Sequence, residues 1–307
     1  MICPLVLATR GSALALVQTE TASALLKAAW PGLVVERKVV RTTGDERAEE
    51  NLAAMGGSGV FTMELERELM SGGAHAAVHS LKDLPVMLPS GLVLGAVLPR
   101  GNPADVLVSA HPGGVAALPA GSRVGTGSPR RAAMCLALRS DVRIEPVRGN
   151  VPTRLAKAVR GEFDAVILAA AGLERLGLTS HGRFTIEGGT LHAEPLPTFL
   201  PAPGQGAIAL EIRADDAQTR EMVGAIHDDA TAAAVQAERA VLAALGGGCH
   251  LALGALAVVE NGQLRLKAEY FPGADAAARR ASVTGPWTDA EKLGRELGGM
   301  LERALRV

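Results

Sequence analysis

Short apolar runs alternating with segments of helical spacing leave this chain few folds to adopt. LVLAT (5–9) reads as a buried strand, and Ser12 then caps a helical run from Ala13 to Trp30 that Pro31 and Gly32 stop. LVVERKVV (33–40) alternates as a strand, GVFTMELERELM (59–70) has helical spacing, and AAVH (76–79) and LVLGAVL (92–98) are strand-like again. Near GNPADVLVS (101–109) the pattern restarts. SRVGT (122–126) is a strand, Ser128 to Arg139 a helix, VRIEPV (142–147) a strand, Val151 to Val159 a helix, and DAVILAAA (164–171) a fully buried strand. This grammar predicts the α/β class, in two doubly wound lobes. AEPLPTFLPAPGQG (193–206) is too long and too proline-rich for a core element, so it predicts a linker that returns the chain to the first lobe, where IALEIR (208–213) adds a strand. Beyond it, an alanine-rich helix (about 229–245), strands near 254–260 and 264–271 and an amphipathic helix from about Thr288 to Leu305 are segregated, as in a small α+β third domain. The expected domains are 1–99 with 200–216, 100–199, and 217–307.

Charge and composition narrow the function. Lysine and arginine total 31 against 32 acidic residues, so a partner must be recognised by local charge rather than by the field of the whole molecule. With aromatics at 3%, the stacking platforms of single-strand binders are scarce, and no basic balance suits duplex binding; nucleic acid is not an expected partner. No stretch approaches the roughly 20 apolar residues of a membrane span, and MICPLVLATR has no basic residue ahead of its apolar run, so mature, cytoplasmic protein is the expectation. Cys3, Cys135 and Cys249 are too few and too scattered for a disulfide framework or a CxxC-type zinc site, and no metal is expected.

Arginine falls repeatedly at strand-to-helix junctions: Arg10 in ATRGS, Arg130 and Arg131 in GTGSPRR, and Arg148 in VRGNVPTR. Helix N-termini carry free N–H groups and partial positive charge, and ligands of open α/β sheets lie outside the carboxyl ends of the strands. Ser128 with Pro129 is a capping pair, and two cations in the turn that follows cost roughly 0.3 to 1 kcal/mol each unless an anion binds there. Arg154 lies about one turn beyond the loop of Arg148, and Arg175 follows a buried strand. Each arginine alone is equally an ordinary solvated or ion-paired charge; the set at equivalent junctions points to a polycarboxylate or phosphate cleft. Arginine's planar fork suits carboxylates, and no GxxxxGK[ST] loop is present to cradle a phosphate.

HSLKDLP (79–85) packs His, Ser, Lys and Asp at a strand end. Asp83 is either a turn residue accepting backbone hydrogen bonds or a carboxylate among cations that stabilises positive charge or moves a proton. LGGGCHLALG (245–254) places Cys249 behind three glycines at a helix end. A lone cysteine is commonly a small buried hydrophobe. Here Gly246 can end the helix in the left-handed region, and Gly247 and Gly248 clear the approach to the sulfur, which suits covalent attachment of an anionic group. His250 is adjacent in sequence, where side chains normally point apart, so no Cys-His dyad is suggested.

TRGSALALVQ, GVFTMELE, AVHSLKDLP, VGTGSPRR, RGNVPTRL, DAVILAAAGLERLGL, PGQGAIALEIR, AERA and GGGC, in this order and spacing, resemble the porphobilinogen deaminase (hydroxymethylbilane synthase) family over nearly the whole chain, least after about residue 255. The resemblance implies two periplasmic-binding-protein-like lobes around a cleft and a third domain whose cysteine, Cys249, carries a dipyrromethane cofactor through a thioether. It implies a cytoplasmic, monomeric transferase of tetrapyrrole biosynthesis that joins four porphobilinogen units onto that primer, releases ammonia at each addition and hydrolyses off hydroxymethylbilane. Asp83 would be catalytic, stabilising the pyrrole nitrogens and the methylene-pyrrolenine cation. Lys82, Asp83, Ser128, Arg130, Arg131 and Arg154 would hold the cofactor, and Arg10, Ser12, Arg148, Arg154 and Arg175 the substrate. The residues agree in kind, since each pyrrole brings two carboxylates and charge-assisted hydrogen bonds contribute roughly 1.5 to 3 kcal/mol apiece. There are departures: Ala54 and Ser58 stand where the family's glycine loop carries lysines, and Pro129 and Pro152 stand at helix starts, where proline fits the first turn. Two lobes of this kind also make carboxylate receptors without catalysis, and a thiol-dependent hydrolase would use Cys249 with a separate base.

Overall fold

The computed structural model describes residues 4–42, 62–248, 250–273 and 277–303. Along the chain, β1 (Leu5–Arg10), α1 (Ala13–Ala29), β2 (Val35–Val40), α2 (Met63–Met70), β3 (Ala76–Ser80) and β4 (Leu92–Val97) build the first lobe. Ser12 caps α1 by accepting a hydrogen bond from the Ala15 amide at 3.3 Å. One face of α1, including Ala15, Ala22 and Leu26, is buried, and Ala22 and Leu26 pack with Leu5, Leu7, Val78 and Leu210.

The chain then crosses to a second sheet made of β5 (Asp105–Ser109), β6 (Arg123–Gly125), β7 (Arg143–Glu145), β8 (Ala165–Ala169), β9 (Gly182–Ile186) and β10 (Gly189–Pro195). Between its strands run α3 (Pro129–Leu138), α4 (Val151–Val159) and α5 (Ala170–Arg175). It returns as β11 (Ile208–Arg213), which inserts between β3 and β4, antiparallel to both. The sheet orders are β2-β1-β3-β11-β4 and β7-β6-β8-β5-β10-β9. The expected return of IALEIR to the first lobe is therefore observed, and the segment before it divides: residues up to Pro195 complete β10, and the irregular chain begins after them.

After α6 (Ala217–Gly224), the helix α7 (Asp229–Ala244) and the antiparallel strands β12 (Ala252–Glu260), β13 (Gln263–Phe271) and β14 (Arg279–Pro286) precede α8 (Ala290–Arg303). Both helices share a core with the three-stranded sheet through Val241, Leu264, Leu266 and Leu297. Gly294 lets α8 lie against α7, because a Cβ there would fall inside contact distance of the Ala237 carbonyl and the Ala240 methyl.

The fully buried Glu238 of α7 binds this unit to both crossing segments. Its carboxylate accepts from Arg100 Nη1 at 2.6 Å and Nη2 at 3.1 Å, from the Gly204 amide at 2.7 Å and from the Ala257 amide at 2.8 Å. A bidentate guanidinium plus two amides satisfies the lone pairs that burial would otherwise leave unpaired.

The β9–β10 hairpin, α5, α6 and β14 exceed what periodicity predicted. The apolar run through Ala171 turns helical at Ala170 with no intervening loop, because alanine favours helix over strand once the sheet pairing ends.

Candidate active site

Arginine-bearing junctions at the carboxyl ends of β1, β6 and β7 gather with the turn that follows β3. β1 ends on Arg10; β3 runs into a single 3-10 turn, Leu81–Asp83, that presents Lys82 and Asp83. β6 leads to Ser128, whose hydroxyl accepts from the Arg131 amide at 3.4 Å and starts α3 with Pro129 in its first turn. Asn150 caps α4 in the same way, with Pro152 in its first turn, which places Arg148 just before the helix and Arg154 inside it. Both prolines thus sit where φ is already fixed near the helical value.

Two cavities meet at Asp83. The larger, about 560 Å³, has Lys82, Arg130, Arg131, Arg148 and Arg154 in its wall, and Asp83 is its one carboxylate among the described residues. Its lining also includes the apolar side chains of Leu84, Val86, Leu242, Leu251 and Leu253. The smaller, about 70 Å³, is bounded by Arg10, Ser12, Gln18, Thr62, Ser80 and Asp83. The larger volume is ordinary for a small-molecule site, and a lining that combines cations with apolar side chains suits a ligand of flat rings bearing acids.

Arg130 and Arg131 already hold an anion, and it belongs to the protein. Arg130 Nη1 lies 2.5 Å from Asp105 Oδ2, while Arg131 Nη2 and Nε lie 2.7 and 3.0 Å from Oδ1. Burial alone would raise the Asp105 pKa, but the two guanidiniums beside it outweigh that and hold the carboxyl well below the usual range. The electrostatic conflict expected from two cations in the first turn of α3 is thus resolved internally, by a buried aspartate at the start of β5. Arg130 Nε remains buried with no hydrogen-bond partner.

Lys82 and Arg154 in the same wall have their charged forms disfavoured. Burial, together with the charge of Arg131, pushes Lys82 down to about 8 despite the opposing pull of Asp83. Arg154 is pushed down to about 10 by burial and by Arg131 and Arg148. Cations that depress one another in a cavity form a site that an anionic ligand would relieve.

Of the other expected residues, Arg175 lines neither cavity: its Nη2 donates to the Gly206 carbonyl at 2.6 Å, at the return crossing. Cys249, and Ala54 and Ser58, lie outside the described residues. The chain leading to Cys249 is placed, since α7 ends at Ala244 with Leu245 as its C-cap, Gly246 has φ +92, and Gly246, Gly247 and Gly248 all line the larger cavity. His250 lines a separate groove with Ala133 and Leu136 of α3 and Tyr270 and Phe271 of β13. Cys135 is fully buried and its thiol is pushed up to about 11, so it is unsuited to act as a nucleophile.

Sequence reasoning missed Asp105 and Gln205. Gln205 Nε2 donates to Asp105 Oδ1 at 2.9 Å, and its Oε1 faces Lys82 Nζ at 3.4 Å and Arg131 Nη2 at 3.5 Å. The available signal was an acid opening the otherwise apolar strand DVLVS, a position that is buried only when paired. Gln18 and Thr62, which bound the smaller cavity together with His79 and Ser80 of HSLKDLP, also escape sequence reasoning.

Residues 5–221 match the family model described as porphobilinogen deaminase, dipyromethane cofactor binding domain, and residues 232–303 match that of the porphobilinogen deaminase C-terminal domain. This chain belongs to the porphobilinogen deaminase family. A porphobilinogen deaminase of Syntrophobacter fumaroxidans is 45% identical over 290 residues, 94% of this chain and 91% of that one. That of Desulforudis audaxviator is 46% identical over 292 residues, 95% of this chain and 92% of that one. Among solved structures, the VFT2 domain of Bordetella pertussis BvgS aligns over 72% of this chain and 85% of its own at 18% identity, with a TM-score of 0.42. The family's dipyrromethane fits the residues present. Crowded cations with depressed pKa values, the unpartnered Arg130 Nε and a side-chain-free glycine loop at the cavity wall form a donor set for a pyrrole pair bearing carboxylates.

Proposed function

We propose that this chain joins four porphobilinogen molecules head to tail on a dipyrromethane primer, releases ammonia at each addition and frees hydroxymethylbilane by hydrolysis. The observation that carries the site assignment is the exposed carboxylate of Asp83 at the meeting point of two cavities whose other charged lining, among the described residues, is cationic. When bound, the dipyrromethane supplies the pyrrole terminus that is extended, and Cys249 is the thiol to which it is joined.

The chain's own residues supply charge and position. Lys82, Arg130, Arg131, Arg148 and Arg154 bind ring carboxylates in the larger cavity, with Asp105 setting the angle of Arg131. Arg10 and Ser12 bind those of the incoming unit in the smaller one, and Arg175 is assigned to substrate at the crossing. Binding the acids leaves the electron-poor carbon and pyrrole N–H groups of the substrate to Asp83. At about 4 Å and an effective dielectric near 20, a carboxylate attracts a full positive charge by about 4 kcal/mol. An attraction of that size made only in the transition state gives about three powers of ten in rate. In this reading residues 1–99 with 200–216 are the catalytic lobe, 100–199 the carboxylate-binding lobe and 217–307 the attachment domain. A monomer in the cytoplasm is part of the proposal: among the described residues no helix is long and apolar enough to cross a membrane, and a thiol awaiting alkylation needs reducing surroundings.

Incubation of purified, cofactor-loaded protein with porphobilinogen is expected to consume it and to yield uroporphyrin after acid oxidation. Loaded protein that leaves porphobilinogen untouched overturns the proposal.

A further inference from the structure

The AERA stretch at 237–240 has no part in ligand binding in the account above, yet its arginine touches the active-site wall. Arg239 projects from α7 and donates only to main-chain carbonyls of three successive residues: Leu84 O at 3.1 Å from Nη1, and Pro85 O at 2.7 Å and Val86 O at 3.1 Å from Nη2. These residues begin directly after Asp83 and line the larger cavity. Among the described residues no carboxylate pairs with this guanidinium, and burial pushes its pKa down. A half-buried cation answered, among the described residues, only by neutral carbonyls gives up part of its hydration with no counter-charge in return, and a shape-matched apolar residue would fill the same space without that cost. What the guanidinium alone provides is a planar fork that fixes several acceptors at once.

The position of α7 gives that fork its consequence. The helix ends in the glycine loop that leads to Cys249, and the preceding residue, Glu238, holds both crossing segments through Arg100 and Gly204. One helix thus carries the attachment loop at its end and grips the segment following Asp83 at its middle. We infer that Arg239 is a positioning residue: it sets the distance between the Asp83 turn and the attachment loop by clamping the carbonyls of residues 84–86, without touching substrate. The inference rests on the proposed function only for its catalytic readout.

The test is Arg239→Gln with Arg239→Lys beside it, read by intact mass, by kcat and KM for porphobilinogen, and by hydrogen–deuterium exchange. In the glutamine variant we expect a normal cofactor adduct, kcat lowered about 10- to 100-fold, KM within about threefold of wild type, and exchange faster by about fivefold or more confined to the peptide spanning residues 84–91. The lysine variant keeps the charge but not the fork, so its kcat and local exchange should fall between the two. Wild-type kcat in either variant overturns the inference. So does loss of the adduct in the glutamine variant, which would place Arg239 in assembly, or a rise in exchange spread over the whole of α7 and the third sheet, which would make it a stability residue. Should the glutamine variant not fold, the lysine variant decides by the same criteria. If the wild-type protein leaves porphobilinogen untouched, the proposed function fails, while the exchange measurement still reads the clamp.

Discussion

Asp83 and Lys82 are neighbours in one 3-10 turn and carry opposite expectations. Removing the Asp83 carboxylate in Asp83→Ala deletes no packing, since the side chain is exposed into the cavities, so the variant should fold and load cofactor normally. Its kcat should fall about a thousandfold, the rate equivalent of a 4 kcal/mol attraction; steady-state kinetics giving near-normal turnover would contradict the role of Asp83. Lys82 has its folded pKa lowered to about 8 from 10.5, so its charge opposes folding of the unliganded chain below pH 8, and that penalty disappears as pH rises toward 10.5. A bound carboxylate favours the charged form, hence loading of unmodified protein should slow as pH rises through about 8. Arg at this position keeps its charge, so Lys82→Arg should flatten that alkaline decline when loading is followed by intact mass between about pH 7 and 9.5.

At the scale of elements, the start of α3 and the packing of α7 on α8 are the two places where a single change should be costly. Asp105 at the head of β5 neutralises two buried guanidiniums. Asp105→Asn leaves them without a counter-charge and should lower unfolding free energy by about 3 to 5 kcal/mol in chemical denaturation. Because the folded pKa of Asp105 lies below its ordinary 3.8, this stabilisation is complete above about pH 4 and is lost only as acid protonates the native carboxylate. Gly294→Ala would press a methyl into the Ala237 carbonyl, and separating α8 from α7 should cost about 1 to 3 kcal/mol by the same measurement.

For the whole molecule, a primer fixed through Cys249 requires that the third unit deliver its loop to a cavity built by the other two. The structure meets that requirement up to Gly248, which lines the cavity with Lys82 of the first lobe and Arg131 of the second. Purified protein should carry a covalent mass excess equal to one dipyrromethane, and Cys249→Ser should lack it while retaining the fold. An excess that survives in the serine variant would move the attachment elsewhere.

The sequence by itself determined the class and most of the elements, because burial period, Ser caps and proline-glycine stops are local: α4 is Val151–Val159 as the pattern predicts, and Ser12 and Ser128 cap the helices they precede. It also marked the junctions where arginine gathers, since helix starts at strand ends are recognisable one at a time. It left open which charges answer one another. Arg130 and Arg131 are neighbours of Asp105 only because β6 and β5 flank β8 in one sheet, and Arg239 meets residues 84–86 only because α7 folds back on the first lobe. Pairing across such separations is decided by sheet order and by the desolvation that packing imposes, which no local spacing encodes.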